Sequence, residues 1–346
     1  MTDDRALPPA ALPLEALGWT PFFADQCRPD DAALTPLRIA TVHRARMTAQ
    51  GTEGPVRVTL PPKTRTTDFA VGDWILAQGP DHLLVRRLDR HALLQRKTEG
   101  ARLPQLIAAN VDTLFIVTSC NDDFNPARLE RYLALANEAG TTPVVVLTKA
   151  DQTADTAPFI TTAARLQRDL AVVAVNSKSD SAVHRLAPWC GAGQTVALVG
   201  SSGVGKSTLL NTLAAKTGDA AQLTGAIRAD DAKGRHTTTA RSLHAIAAGG
   251  WVIDTPGIRT LHIADLAGGL DMLFAEIAEL APHCRFRDCT HLHEPGCAIL
   301  AALEDGTLDP DRVARWRKLH DENAANTPIE TGARNNRQIK PRPRKR

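Results

Sequence analysis

Tyrosine is almost missing from this chain: there is one in 346 residues, beside five tryptophans and eight phenylalanines. So few polar rings exclude an extensive aromatic surface for stacking bases. No apolar run is long enough to span a bilayer, and the N-terminus lacks the basic-then-apolar order of a secretion signal. That reading excludes a membrane protein and predicts a cytoplasmic one. Net charge is also scant, at +3, so overall electrostatics name no partner. Cys27, Cys120 and Cys190 are scattered. In a reducing compartment the three that cluster, Cys284, Cys289 and Cys297, point to a metal rather than a disulfide.

What is present is a chain of ordinary apolar content, 43%, long enough for about two or three domains at ~150 residues each. Its charge is unevenly spread. Residues 1–36 are rich in Pro, Ala and Asp and read as an irregular extension, in which "LEALGWTPFF" can dock one short amphipathic turn. Residues 37–97 turn basic and carry short alternating runs, "RIATVHRA", "PVRVTL", "DWILA" and "HLLVRRL", parted by turn residues. About five strands in sixty residues suit a small all-β barrel. An OB-fold is the natural size match, with a β-sandwich or SH3-like barrel as alternatives. Residues 98–262 alternate apolar strands with helices, among them "PARLERYLALANEAG" and a helix over Phe159–Asp169, which predicts a mostly parallel sheet covered on both faces. Residues 263–330 read as mainly helical, and the basic tail 331–346 as disordered.

The stretch "TVALVGSSGVGKSTLLN" supplies the first chemistry. Gly200, Ser201, Ser202, Gly203, Val204, Gly205, Lys206 and Ser207 fit G-x-x-x-x-G-K-[ST], with a strand running in and a helix running out. The glycines let successive N–H groups converge on phosphate oxygens, and the helix N-terminus adds its dipole. Lys206 is expected at the β/γ-phosphates, Ser207 on Mg²⁺ and Thr208 near the α-phosphate. "Asp254-Thr-Pro-Gly257" follows another strand, with Asp254 placed for Mg²⁺ and the Gly257 amide for the γ-phosphate. Between them "KGRHTTTAR" offers Thr237, Thr238 and Thr239 as the switch threonine. The sequence does not choose among them, and Thr238 stands for the three.

"VVVLTKAD" poses a question of order, because a base-reading loop ordinarily follows the phosphate loop and here precedes it. Asp151 can accept from guanine N1–H and N2–H₂, whereas adenine offers a lone pair at N1 and no amine, leaving the carboxylate unpaired. The stem of Lys149 can pack over the ring. Thr148 replaces the commoner Asn, which ties this loop to the rest of the site, and the departure predicts weaker affinity without reversed base choice. Ser177, in "VNSK", is placed to put backbone amides near guanine O6. A circularly permuted GTPase domain explains the complete but rotated set. Ile258 occupies the position after D-x-x-G and cannot orient water, so slow intrinsic turnover is predicted. His236 is the candidate to position or deprotonate the water.

"HCRFRDCTHLHEPGC" holds Cys284, Cys289, His291 and Cys297 as C-x₄-C-x-H-x₅-C, enough for a closed tetrahedral site. His293 is a rival fourth ligand, and three buried free thiols are the bland alternative. Its expected role is one structural zinc per chain.

The arrangement resembles the ribosome small-subunit-dependent GTPase A family, RsgA. The matching features are "VGDWI", "NVDTLFIVTS", "RLERYLALA", "VVVLTKAD", "LVGSSGVGKSTLLN", "GRHTTT", "DTPGIR" and the cysteine cluster, from about Leu37 to Lys318. The resemblance implies an N-terminal OB-fold, a circularly permuted G domain and a C-terminal zinc domain ligated by Cys284, Cys289, His291 and Cys297. It also implies a role in late 30S maturation, with 16S rRNA, GTP and GDP as partners, and hydrolysis stimulated by the subunit and coupled to release. Magnesium accompanies GTP, and a monomer is expected. Two other classes stay open, a small-molecule P-loop kinase and a non-hydrolysing RNA-binding scaffold.

Overall fold

The computed structural model describes residues 11–96, 104–214, 241–255 and 264–327. Among these no helix is long and apolar enough to cross a membrane. The lead-in forms a 3-10 turn at Leu14–Leu17 and a short helix α1 (Pro21–Ala24). Five strands follow: β1 (Thr35–Val42), β2 (Met47–Gly51), β3 (Gly54–Val58), β4 (Trp74–Gln78) and β5 (Leu83–Arg87). β1 pairs antiparallel with β4 through its first half and with β2 through its second. β3 extends one side and β5 the other. One parallel bridge, Thr59 with Leu83, touches the two outer edges. The Thr59 amide donates to His82 O at 3.1 Å and the Leu84 amide to Thr59 O at 2.9 Å. The regular ladder stops there and the sheet does not close into a barrel. Alternate residues turn inward: Leu37, Ile39, Met47, Ala49, Val58, Ile75, Ala77 and Leu84 form a separate small core.

A two-stranded ribbon, β6 (Leu93–Arg96) with β7 (Gln105–Ala109), leads into the α/β part. There β8 (Thr113–Ser119), helix α2 (Pro126–Glu138), β9 (Thr142–Thr148), α3 (Ala157–Ala164), β10 (Ala171–Ala174), α4 (Ser181–Leu186), β11 (Thr195–Val199) and α5 (Lys206–Leu213) succeed one another, followed by β12 (Ser242–Ala245) and β13 (Trp251–Asp254). The order across the sheet is β10-β9-β8-β11-β13-β12. The first five are parallel, β12 is antiparallel to β13, and Thr41 opposite Ser242 carries the sheet on into β1. β8 and β11 are buried along their whole length, as the apolar runs require of a sheet covered on both faces. Leu114 and Ile116 face α2 and α3, while Phe115 and Val117 face α4 and α5.

The signals at α2 act as expected. Asn125 caps it by accepting the Arg128 amide at 3.0 Å, Pro126 opens it, and Gly140 leaves it at φ 73°. The helix expected over Phe159–Asp169 begins two residues sooner, with Pro158 in its first turn, and ends at Ala164. Leu166 already bonds three residues back, and Asp169 is left-handed at φ 55°. The backbone therefore leaves the helix before its apolar period ends.

The C-terminal part comprises α6 (Ala267–Leu273), α7 (Ala275–Ala278), the cysteine loop, α8 (Ala298–Glu304) and α9 (Pro310–Asn326). α6 lies so near α2 that a Cβ on Gly269 would sit 2.2 Å from Ala134 O. Leu270, Leu273, Phe274 and Ile277 join the core of the α/β part. Polar groups complete the seam. Glu130, 1% exposed, receives Arg312 at 3.1 Å and Arg315 at 2.9 Å, and Arg131 grips Glu322 with two bonds of 2.5 and 2.6 Å.

The lead-in is built into the same body. Leu17 and Phe23 are fully buried, and the Trp251 indole donates to Ala16 O at 2.8 Å. Arg38 of β1, 1% exposed, donates to Leu17 O at 2.6 Å, Asn110 O at 3.2 Å and Thr195 Oγ1 at 2.7 Å. Burial pulls its guanidinium down to about 10, partly offset by Asp112, which leaves it charged at neutral pH.

Candidate nucleotide site and metal centre

Because β9, β10, β11 and β13 run parallel, their carboxyl ends share one rim of the sheet. That rim is where ligands bind in open α/β folds. It carries Thr148 at the end of β9, Ser177 after β10, the glycine-rich loop after β11 and Asp254 at the end of β13. Elements far apart in the chain thus meet at one rim.

The loop needs its glycines for different reasons. At Gly200, φ is 142° and a Cβ would lie 2.1 Å from Val117 O on the neighbouring strand. Gly205, φ 94°, precedes α5 and faces Ser177 and Thr148. Lys206 Nζ donates to Gly200 O at 2.8 Å and also to Ser201 O, so the ammonium is folded against the loop's own backbone. Val204 is buried, Ser202 and Gly203 are exposed, and Ser207 and Thr208 sit half-buried in the first turn of α5.

Thr148 is fully buried, and its hydroxyl reaches Thr118 O at 3.0 Å and Val204 O at 2.5 Å. The tie that asparagine commonly supplies is here made by a hydroxyl, directly to the phosphate loop's backbone. Ser177 O accepts Thr212 Oγ1 of α5 at 2.7 Å, and a Cβ on Gly205 would lie 3.4 Å from Ser177 Oγ. That Oγ is buried without a hydrogen-bond partner. The two base loops are joined to each other by the Ala150 amide donating to Val175 O at 3.3 Å. Lys149 is left-handed at φ 56°, and Asp151 is exposed.

Two contacts at this rim gave no signal in sequence. The buried Thr255 hydroxyl donates to Leu198 O, tying the segment after β13 to the strand that feeds the loop. Arg128 of α2 donates to the Ser201 hydroxyl. His236, Thr237, Thr238, Thr239, Gly257 and Ile258 lie outside the described residues.

Away from this rim, Cys284, Cys289, His291 and Cys297 bring one donor atom each within 4.8 Å of the others. Cys284 Sγ lies 3.9 Å from Cys297 Sγ and 3.4 Å from His291 Nδ1, which is 3.5 Å from Cys297 Sγ. A tetrahedral ion with bonds of about 2.3 Å to sulfur sets its ligands roughly 3.8 Å apart, so the donor set could hold a metal ion. His293 is exposed and not among the four. Glu294 organises the turn by accepting from the Thr290, Leu292 and His293 amides at 3.0, 3.1 and 3.2 Å. The Thr290 side chain, above all, holds its carboxyl well below the usual range.

Comparison with known proteins agrees with this geometry. The family model described as RsgA GTPase matches residues 87–264. A small ribosomal subunit biogenesis GTPase RsgA of Mesorhizobium japonicum is 64% identical over 321 residues, covering 93% of each chain. One named RsgA 2, from Vibrio vulnificus, is 49% identical over 90% of this chain and 88% of its own. Among solved structures, YjeQ from Thermotoga maritima superimposes with a TM-score of 0.62 at 24% identity, over 84% of this chain and 98% of its own. YloQ, described as a circularly permuted GTPase, gives 0.62 and 24% over 88% and 100%. On its sequence and on the order of the loops around that rim, the chain belongs to the RsgA GTPase family.

Proposed function

We propose that this protein hydrolyses GTP as a late maturation factor of the 30S ribosomal subunit, binding 16S rRNA and leaving when GTP is spent. The observation that carries the reading is the bond from Thr148 to the Val204 carbonyl, which locks the base-reading loop to the phosphate loop. Asp151 reads guanine, with Lys149 packing over the ring and Ser177 beside its O6. Gly200, Gly203 and Gly205 let the backbone amides of Ser201, Ser202 and Val204 turn toward the phosphates. Lys206 neutralises the β/γ oxygens. Ser207 and Asp254 would hold magnesium, which when bound offsets the charge on the transferring phosphate. Thr238 and the Gly257 amide sense the γ-phosphate, and His236 positions the attacking water. With Ile258 after the D-x-x-G motif, the enzyme waits for the subunit to complete the site.

Cys284, Cys289, His291 and Cys297 would hold one structural zinc, which staples a loop with little core of its own. The 3-2-1-4-5 strand order and the Thr59–Leu83 bridge support an OB-fold over residues 37–97. Its arginines would neutralise rRNA phosphates and make binding salt-sensitive. The G domain spans 98–262 and the zinc domain 263–330, in a cytoplasmic monomer.

The test is single-turnover GTP hydrolysis with and without purified 30S subunits, beside a panel of ATP, GTP and XTP. Stimulation by the subunit with GTP alone is expected. Equal turnover with and without subunits would defeat the reading, and preference for ATP would favour a kinase.

A further inference from the structure

The roles assigned so far leave Arg128 unused. It lies in the first turn of α2, on a different element from the phosphate loop, yet one nitrogen of its guanidinium donates to the Ser201 hydroxyl. The other donates to Asp123 O at 3.0 Å and approaches Asp123 Oδ1 at 3.3 Å. Ser201 follows the loop's first glycine, and its carbonyl accepts Lys206 Nζ. Two cations therefore bear on one residue, Lys206 from within the loop and Arg128 from outside it. The P-loop pattern prescribes nothing at Ser201 and no partner for it.

The platform that presents Arg128 is firmly held. Asn125 caps the helix. One turn on, Glu130 and Arg131 are bonded to Arg312, Arg315 and Glu322 of α9. On the inner side Leu129 and Leu133 are buried in the core. A guanidinium fork can bridge Asp123 and Ser201 at once, whereas a lysine offers a single point charge.

We propose that Arg128 is a positioning residue of the phosphate site: its fork fixes Ser201 against Asp123 and so holds the loop in its anion-binding curve. It acts through Ser201 on nucleotide affinity and leaves the chemical step alone. The inference rests on the nucleotide site assigned above, which a wild-type titration with a fluorescent GTP analogue and a Lys206→Ala control test separately. If wild type fails to bind, the site assignment fails and not merely the role of Arg128.

The experiment compares Arg128→Ala, Arg128→Lys, Ser201→Ala and the double variant Arg128→Ala/Ser201→Ala for GTP and GDP affinity, and for kcat with 30S subunits. Each single change should weaken affinity about tenfold, the double should be no worse than either single, and kcat should move less than about twofold. Arg128→Lys should stay as weak as Arg128→Ala. Wild-type affinity in Arg128→Ala, additive losses in the double, rescue by lysine, or a fall in kcat at unchanged affinity would each overturn the proposal. Melting temperatures are recorded throughout, and Ser201→Ala, a small change in a half-buried side chain, carries the test if Arg128→Ala proves unstable.

Discussion

At the scale of single residues, Thr148 decides the most. Its hydroxyl serves a buried carbonyl of the phosphate loop, and a buried acceptor left unserved costs about 1–3 kcal/mol. Thr148→Val should therefore weaken GTP binding by roughly tenfold or more, measured by titration with a fluorescent analogue; unchanged affinity would deny the tie any role. Asp151→Asn addresses base choice. An amide can donate where xanthine carries a carbonyl in place of guanine's amine, so the variant should lose GTP and gain XTP in a competition assay. His91 sets a pH response. Its ring packs on Phe22 and Phe23 and lies 3.9 Å from Asp112. Burial lowers it below its ordinary 6.5, Asp112 pulls it partly back, and Arg38 pushes it down again. The unfolded chain takes the proton first, so this contribution is whole above about pH 6.5 and drains as the pH falls. Thermal midpoints between about pH 7.5 and 5.5 should drop further in wild type than in His91→Gln.

At the scale of elements, the seam between α2 and α9 turns on a carboxylate buried between two arginines. Removing one partner of such a cluster costs about 3–5 kcal/mol. Arg312 keeps Glu276 at 2.8 Å and Leu273 O at 2.7 Å, so Glu130→Ala should fall at the low end, read as a lower denaturation midpoint. A midpoint equal to wild type would show the seam to be held by its apolar contacts alone. Elements were also where the sequence spoke most clearly. Wholly apolar strands announce a sheet covered on both faces, and Asn125, Pro126 and Gly140 mark both ends of α2, because those signals are local. The end of α3 was not legible, since its apolar period runs past the point where the backbone leaves the helix. Arg38 in "PLRIATV" looks like a solvated strand residue, and nothing nearby in sequence names Leu17, Asn110 or Thr195. Arg128 and Thr255 were missed for the same reason: their partners lie 73 and 57 residues away. The cluster of four residues that could hold a metal ion was legible, because their chemistry and spacing sit within one short loop.

At the scale of the whole molecule, one body carries both the rim of loops at the strand ends and, away from it, a cysteine loop that could hold a metal ion. If zinc staples only the latter, a zinc-selective chelator, with magnesium kept in excess, should lower the melting temperature while leaving GTP affinity within about twofold, because the stabilising free energy is local to that loop. Loss of nucleotide binding on chelation would mean the two centres are not separable. The Arg38 guanidinium bears on how the chain can be cut. It joins residues 17, 38, 110 and 195 at one point, so a chimaera that swaps the β-rich part at residue 37 would abandon a charged group whose carbonyl partner went with the discarded piece. Grafts between relatives should take the stretch from residue 11 along as cargo, and an affinity handle belongs ahead of it.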